Sequence, residues 1–365
     1  MNSGQKKRVL VAPLNWGLGH AARIIPIIKL LIEQEFDVII GAYGRSGELL
    51  KREFPNLKYI EFPSYSIEYS TCNKQTIKIL FQIPAILFWT LKEHFRLKKI
   101  VRKHYISIVI SDHRYGLWNK KTYNIFLIHQ LNMRFPKGVR IFENLFNKLQ
   151  HYVIRKYNEC WVPDFEFPDN LGGELTRQPR GIMNLKYTGP LSRFKDLSIY
   201  NKNERTYEIL VVLSGPEPQR TILEDKLVKE LQEIKKTVLF VRGVVGQDEI
   251  YAKEGIHYVD MLTSDKLGKY LALAECVICR SGYTSVMDLY LLQKKAILIP
   301  TPGQPEQEYL AWWLDSKGYF IKTEQDKLLF ENAIKRLQSV KFPELNYNDA
   351  LLCLVNKISS KTAYM

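Results

Sequence analysis

Short apolar runs alternate with stretches of helical period along almost the whole chain, and this alternation narrows the fold to α/β. The first unit is explicit. Residues 8–12 form an apolar run, and Gly17-Leu18-Gly19-His20 makes a tight turn. Ile24, Ile27, Ile28 and Leu31 then recur at helical spacing before a second apolar run at 37–41. A strand, Gly-rich loop, helix and strand in that order build a parallel sheet with right-handed crossovers. Runs at 106–111 and 124–129 predict two more strands. A second series starts after about residue 205, with strands expected at 208–213, 237–241, 257–260, 276–279 and 296–300 and helices at 221–234, 264–274 and 284–293. The reading is two Rossmann-like, doubly wound parallel-sheet domains facing a cleft. Their expected bounds are 1–162 and 204–342, joined by a Pro-, Gly-, Asn- and Asp-rich connection at 163–203 and followed by a terminal segment, 343–365, with a helix pattern at about 347–358.

At 365 residues the chain is long for one core and comfortable for two. A hydrophobic share of 46% with 25% charged residues excludes a disordered chain. No apolar run reaches the ~18–20 residues that span a bilayer. The apolar run after the basic start meets Asn15 and Gly17 too soon for a signal peptide, so a cytoplasmic protein is expected. Five cysteines, Cys72, Cys160, Cys276, Cys279 and Cys353, show no framework spacing. Cys276 and Cys279 share an apolar strand run, where residues three apart face opposite sides, so they read as small core hydrophobes.

The net charge of +15 is uneven. Residues 1–150 carry 24 Lys and Arg against 10 Asp and Glu, whereas residues 151–365 carry 29 against 28. A basic first half suits an anionic surface. No helix-turn-helix, zinc or RNA-binding motif points to nucleic acid.

The sharpest chemical signal is Arg280-Ser281-Gly282-Tyr283-Thr284-Ser285, which ends a strand and opens a helix. Gly282 allows close backbone approach, Ser281, Thr284 and Ser285 offer hydroxyls, and the helix start offers free N–H groups for phosphate. Asp288 follows Thr284 by four residues and shares its side of the helix, where a carboxylate accepts both hydroxyls of a ribose. An ordinary capped helix with a solvated Asp288 fits the same pattern. Pro300-Thr301-Pro302-Gly303-Gln304 forms a rigid loop, and Gln307 and Glu308 open the next helix, as sugar readers or as a merely polar first turn. Ser214-Gly215 and Arg220 follow the first strand of the second domain, and Arg242 follows its next strand, each a candidate for a diphosphate.

Residues 256–316 resemble the C-terminal half of glycosyltransferase family 28, which includes the bacterial cell-wall N-acetylglucosaminyltransferases. The resemblance implies a GT-B fold and an uridine ribose held by an acid that falls on Asp288, where Glu is the common residue. It implies a sugar-reading pair at Gln307 and Glu308, the latter replacing a Gln, and a uracil-reading loop at Val259-Asp260-Met261-Leu262. The first half is similar more weakly, through Gly17-Leu18-Gly19-His20 and Pro26, with Gly19 in the donor loop. By that resemblance His20 is the general base, a role its ordinary pKa of about 6.5 suits, and Asp112 orients it. A phosphate-contacting His20 and an ordinary polar strand end at Asp112 are the plainer alternatives.

These residues imply inverting transfer from a UDP-sugar without cofactor or bound metal, since no Asp-x-Asp motif and no cluster of His, Asp or Cys at ligand spacing occurs. A nucleotide-sugar epimerase on the same double fold, or a non-catalytic sugar-nucleotide-binding subunit, are the competing readings. The run 79–91 is aromatic and apolar, and Lys92, Arg96, Lys98 and Lys99 follow it, the composition of an interfacial segment or of a buried helix with a basic face. In GT-B enzymes the first domain binds the acceptor. The expectation is therefore a glycolipid or lipid-linked acceptor at an anionic membrane surface, with the enzyme peripheral on its inner face.

Overall fold

A computed structural model describes residues 6–65, 75–135, 137–194, 207–215, 217–234, 236–326, 330–344 and 349–360. The first sheet is built from β1 (Arg8–Pro13), β2 (Asp37–Ala42), β3 (Lys58–Glu61), β4 (Ile108–Asp112), β5 (Tyr123–Leu127), β6 (Glu159–Val162) and β7 (Leu185–Tyr187). Its helices are α1 (Leu18–Glu33), α2 (Gly44–Glu53), α3 (Gln75–His104) and α4 (Glu143–Ile154). The strands run parallel in the order β3-β2-β1-β4-β5-β6-β7. The second sheet holds β8 (Ile209–Val212), β9 (Val238–Val241), β10 (Tyr251–Lys253), β11 (Ile256–Val259), β12 (Cys276–Cys279), β13 (Ala296–Leu298) and β14 (Ile321–Lys322). Around it lie α5 (Gln219–Gln232), α6 (Ser264–Leu273), α7 (Tyr283–Leu291), α8 (Pro305–Ser316) and α9 (Phe330–Arg336), and α10 (Ala350–Ser360) follows. The order is β10-β11-β9-β8-β12-β13-β14, parallel except for the β10–β11 hairpin. The architecture is two Rossmann-like domains.

The central strands are covered on both faces, which is why they read as unbroken apolar runs. Val9 to Ala12 in β1 and Ile110 in β4 are fully buried. In α1, Ile24, Ile27, Ile28 and Leu31 are buried against them. Each such side chain contributes about 1.5–3 kcal/mol. Cys279 packs on one face of the second sheet and Cys276 on the other, and burial pushes their thiols up to about 12 and about 11.

Several short strands lie where the pattern did not show them, and the terminal helix, expected at about 347–358, packs where the pattern did not place it. Part of the 163–203 stretch, with its weak periodicity, forms β7 at the edge of the first sheet. Edge strands of two to four residues, such as β3, β7 and β14, lack a continuous apolar run to announce them. The terminal helix α10 crosses back, and its Leu354, Val355 and Ile358 join the core beside α1.

In each sheet the strand order reverses beside its first strand, at β1/β4 and at β8/β12. Ligands of open α/β sheets bind outside the carboxyl ends at such a point. The two reversal points meet. Thr284 at the start of α7 donates its hydroxyl to the Gly19 carbonyl of α1 at 3.0 Å. Glu53 at the end of α2 accepts from the Ser264 N–H at 2.6 Å and so caps α6 of the other domain.

No helix among the described residues is long and apolar enough to cross a membrane. Of the run 79–91, only residues 84 onward have described side chains. There α3 shows two faces. Glu93 is buried and pairs with the fully buried Arg114 at 2.9 Å, tying the helix to the sheet. Leu87, Phe88, Leu91 and Phe95 are 60–63% exposed on the other side. The first domain also presents Ile141, Leu145, Leu149 and Tyr152, a second exposed stripe at helical spacing ending in α4.

Candidate active site

His20 sits in the first turn of α1, directly after the carboxyl end of β1, and Asp112 ends the neighbouring β4. Their adjacency follows from the sheet register, which pairs Pro13 with Asp112. Asp112 Oδ2 lies 2.9 Å from His20 Nδ1. The structure thus brings together two residues that stand 92 positions apart. His20 Nδ1 lies within hydrogen-bond distance of both Asp112 Oδ2, at 2.9 Å, and Arg23 Nη2, at 2.5 Å, and its tautomer decides which of the two it bonds.

Around this pair the fold adds residues that the sequence reading did not single out. Arg23 donates from Nε to both Asp112 oxygens at 3.1 Å and from Nη2 to Oδ1 at 2.5 Å. Its Nη1 meets His129 Nδ1 at 2.5 Å, and its Nη2 meets His113 Nδ1 at 3.1 Å. His129 follows β5, and its Nε2 lies 3.0 Å from Glu306 Oε1 on α8 of the other domain. His113 holds a left-handed backbone, φ 54°, a conformation a bulky residue keeps only where its surroundings demand it. A sequence signal existed for His113 and His129: both follow adjacent strands of the sheet at their carboxyl ends. Arg23 and Glu306 gave none.

The electrostatics follow from burial and from one cation. Burial pushes the Asp112 carboxyl up, but the Arg23 charge and the histidine contacts outweigh it and hold Asp112 well below the usual range. Burial, and then the Arg23 charge, lower His20, with Asp112 opposing. Burial and Arg23 also hold His129 well below the ordinary imidazole value. Burial raises Glu306. The rings are therefore neutral near pH 7 beside an ionised Asp112.

His20, Asp112 and His113 place ligand atoms within 4.8 Å of one another, a cluster capable of holding a metal ion that linear spacing did not reveal. The Arg23 guanidinium is bonded to all three residues, so a cation already occupies their midst.

On the second-domain side Gly282 caps α7, and a Cβ there would meet nothing within 4 Å, which leaves the helix start open to a ligand. Ser285 in the first turn is partly exposed. Gly215, after β8, has φ 100°, which only glycine adopts readily, and Ser214 precedes it. Ser281 donates to the Gln307 carbonyl at 2.9 Å. Asp288 is buried and accepts from the Ser192 hydroxyl at 2.6 Å, with Arg193 Nε at 3.9 Å. Burial raises Asp288 to about 6. Asp288 is therefore not the solvated acid of a plain capped helix. Ser192 and Arg193 come from the connection, which sequence reading passed over. The Arg193 Nε is buried without a hydrogen-bond partner among the described residues.

Other expected donor residues are differently engaged. Arg220 pairs with Glu217 and Glu224, each at 2.5 Å, and Arg242 pairs with Glu224 at 2.6 Å and Asp260 at 3.2 Å. The acids of their own domain take up these guanidiniums, so neither stands free for a diphosphate. Arg280 is buried and donates to the carbonyls of Gln219 and Pro300, which fixes the loops rather than a ligand. Met261 and Leu262 are buried. Gln307 Oε1 accepts from the Thr301 N–H and Glu308 Oε1 from the Gly303 N–H, both at 2.9 Å, so the pair holds its own loop in shape.

Residues 210–353 match the model of the glycosyltransferase family 28 C-terminal domain. An uncharacterized glycosyltransferase of Methanosarcina acetivorans is 23% identical over 86% of this chain and 82% of its own length. The UDP-N-acetylglucosamine–N-acetylmuramyl-(pentapeptide) pyrophosphoryl-undecaprenol N-acetylglucosamine transferase of Haemophilus influenzae is 24% identical over 92% of this chain and 90% of its own. Among solved structures, MurG of Acinetobacter baumannii superposes with a TM-score of 0.55 at 16% identity, over 98% of this chain and 100% of that one.

Proposed function

We propose, on the premise that this chain is a GT-B glycosyltransferase resembling family 28 most clearly in its second domain, that it transfers a hexose or N-acetylhexosamine from a UDP-sugar to a lipid-linked acceptor in cell-envelope glycan synthesis, with inversion. The observation that carries the reading is the buried His20–Asp112 pair at the reversal point of the first sheet, facing the start of α7 across the cleft. Asp112 accepts Nδ1–H of His20 and leaves the Nε2 lone pair as base. Nε2 takes the proton of the acceptor hydroxyl. The acceptor oxygen attacks the anomeric carbon as the bond to the diphosphate oxygen breaks, and UDP leaves with the electron pair. One in-line displacement inverts the carbon.

The leaving charge is met by the N–H groups of the α7 start and by Arg193, whose Nε lies 3.9 Å from the ribose acceptor Asp288 and makes no hydrogen bond among the described residues. No step needs a metal, because the site where His20, Asp112 and His113 would hold one is filled by Arg23. The acceptor's lipid is supported by the two exposed apolar stripes of the first domain. Lys92 and Lys98 of α3 and Lys156 beside α4 flank them, each ammonium lying over an aromatic ring. These stripes make the first domain the membrane-facing half of a peripheral enzyme.

A thermal-shift screen with UDP-, GDP- and dTDP-sugars tests the donor. A ligand at 100 times its Kd stabilises the fold by about 2.7 kcal/mol. Stabilisation by GDP- or dTDP-sugars alone would overturn the UDP assignment. Sedimentation with anionic vesicles tests the surface. Protein left in the supernatant at low salt would make a soluble acceptor the better reading.

A further inference from the structure

The transfer as written uses His20 and Asp112 and leaves His113 without a part. His113 follows Asp112 directly, at the carboxyl end of β4, and is buried. Its Nδ1 lies 3.1 Å from Arg23 Nη2 and 3.2 Å from Asp112 Oδ1, so one end of the ring is engaged. Its Nε2 is buried and makes no hydrogen bond among the described residues. Its backbone is left-handed, φ 54°. Both features cost stability, because the nitrogen has lost water without gaining a partner and the backbone is strained. Asp112 does not require them, since Arg23 alone reaches both of its oxygens. An apolar side chain would fill the same volume without an unpaired nitrogen. At the end of a strand beside the reversal point of the sheet, the missing partner is expected on a ligand.

The neighbours of the ring indicate which ligand atom fits. The His113 ring lies 5.3 Å from that of His20, edge to face, and 4.5 Å from that of His129. It therefore shares the first-domain wall with the proposed base. Burial keeps the imidazole neutral near pH 7. Nδ1 either accepts from Arg23 or donates to Asp112, which leaves Nε2 as a donor or as an acceptor. A hydroxyl both donates and accepts, so it pairs with either form.

We propose that His113 determines acceptor specificity, its Nε2 bonding the hydroxyl of the acceptor sugar next to the one that His20 deprotonates. The inference rests on the reading of His20 as base toward a sugar acceptor. Two imidazoles at that spacing can meet neighbouring hydroxyls of one pyranose ring. An acceptor without the second hydroxyl leaves Nε2 unpaired, and the missing bond weakens its transition-state binding relative to the full acceptor.

The test is a cycle between residue and substrate group. The full chain is assayed with UDP-glucose and UDP-N-acetylglucosamine as donors and with octyl hexosides and octyl N-acetylhexosaminides as acceptors. Monodeoxy analogues of the best acceptor are then compared in wild type, His113→Asn and His113→Gln. Asn tolerates the left-handed backbone but stops short of the Nε2 position, whereas the Gln amide reaches it. In the wild type one analogue should lose about 10- to 100-fold in kcat/KM, mainly through KM. In His113→Asn the parent acceptor should fall to the level of that analogue, and removing the hydroxyl should change nothing further. His113→Gln should recover part of the discrimination. The ratio of parent to analogue cancels any general loss of turnover. A merely structural His113 leaves that ratio at its wild-type value in both variants, which overturns the proposal. A parallel fall in UDP affinity would put the contact on the donor and overturn it as well. Should His113→Asn fail to fold, or no octyl glycoside be used, ¹⁵N-histidine spectra of the UDP-saturated wild type decide. On addition of the octyl glycosides the His113 Nε2 resonance, assigned with His113→Gln, should move, and a stationary resonance overturns the proposal. Turnover of His20→Ala tests the base separately, since the ratio does not depend on which group takes the proton.

Discussion

On the first-domain side of the cleft, His20, Arg23, Asp112, His113 and His129 form one buried, hydrogen-bonded cluster drawn from three elements. On the second-domain side, Arg220 and Arg242 are paired with Glu217, Glu224 and Asp260, and Arg280 is hydrogen-bonded to carbonyls. Among the described residues there, Arg193 Nε makes no hydrogen bond and the start of α7 is open, with Asp288 beside Arg193. The difference teaches how the labour divides. Proton chemistry needs a preset tautomer and a dry environment, which a packed cluster supplies. On the proposed reaction, a diphosphate that must leave after each turnover is better held by backbone N–H groups and one cation than by an arginine cage.

The comparison breaks first at His20. His20→Ala should lower turnover by ~10²–10⁴-fold, the usual range for loss of a general base, with nucleotide affinity nearly unchanged in titration calorimetry. Equal losses in turnover and affinity would erase the distinction between the two sides.

Arg220 and Arg193 sharpen it. Arg220→Ala removes one partner of a buried pair and should cost about 3 kcal/mol of stability in denaturant titration, while UDP affinity moves by less than about threefold. Arg193→Ala should do the reverse. It should weaken UDP by about 10-fold, the lower end for a hydrogen bond to a charged group, and leave the melting temperature alone. If Arg220→Ala proves the affinity mutant, the second-domain arginines hold phosphate after all.

Asp288 adds a pH signature. Its carboxyl sits at about 6, so it is protonated below that pH and ionised above. A folded value raised above the ordinary 3.8 makes a contribution to stability that is lost as pH rises through about 6. Ribose hydroxyls donate best to the ionised form. UDP affinity should therefore strengthen as pH rises through about 6, and Asp288→Asn should flatten that dependence. Asp288→Ala should cost ~10- to 150-fold in affinity at pH 7.5. A slope that survives in Asp288→Asn would assign it elsewhere.

The smallest expected effect concerns the outer surface of the first domain. Replacing Leu145 and Leu149 with Ser should weaken vesicle binding at every salt concentration without lowering the melting temperature, since both are 55% exposed. Replacing Lys98 and Lys99 with Gln should weaken it mainly at low salt, because the Debye length falls from ~10 Å at 0.1 M to ~3 Å at 1 M. A drop in melting temperature for the Leu145 and Leu149 variant would instead mark that stripe as core.

Legibility in the sequence followed locality. The β1–loop–α1 unit was readable because Val9 to Ala12 and Ile24 to Leu31 repeat with the periods of a strand and a helix. The β12–α7 turn was readable because Gly282 and the hydroxyls around it stand in one short run. His20 and Asp112 were legible only as separate strand-end residues. The β7 edge strand, the return of α10 and the α4 stripe were not, because a three-residue strand has no period and burial of a helix face depends on what lies opposite.

Within each element, then, the sequence by itself determined the two doubly wound sheets, the glycine turns at their reversal points and the residue types placed there. Only the tertiary structure decided which of those residues act together. Arg242 read as a phosphate ligand, and only the fold set Glu224 of α5 and Asp260 after β11 against it, whereas the partners of Arg220, Glu217 and Glu224, stand three and four positions away in the chain. Arg23, His129 and Glu306 come into contact only because the fold brings together residues up to 177 positions apart. The physical reason is range. Backbone period and turn chemistry act over a few residues, whereas a charge takes its partner from whatever the fold brings within about 3 Å, and no local pattern encodes that neighbour.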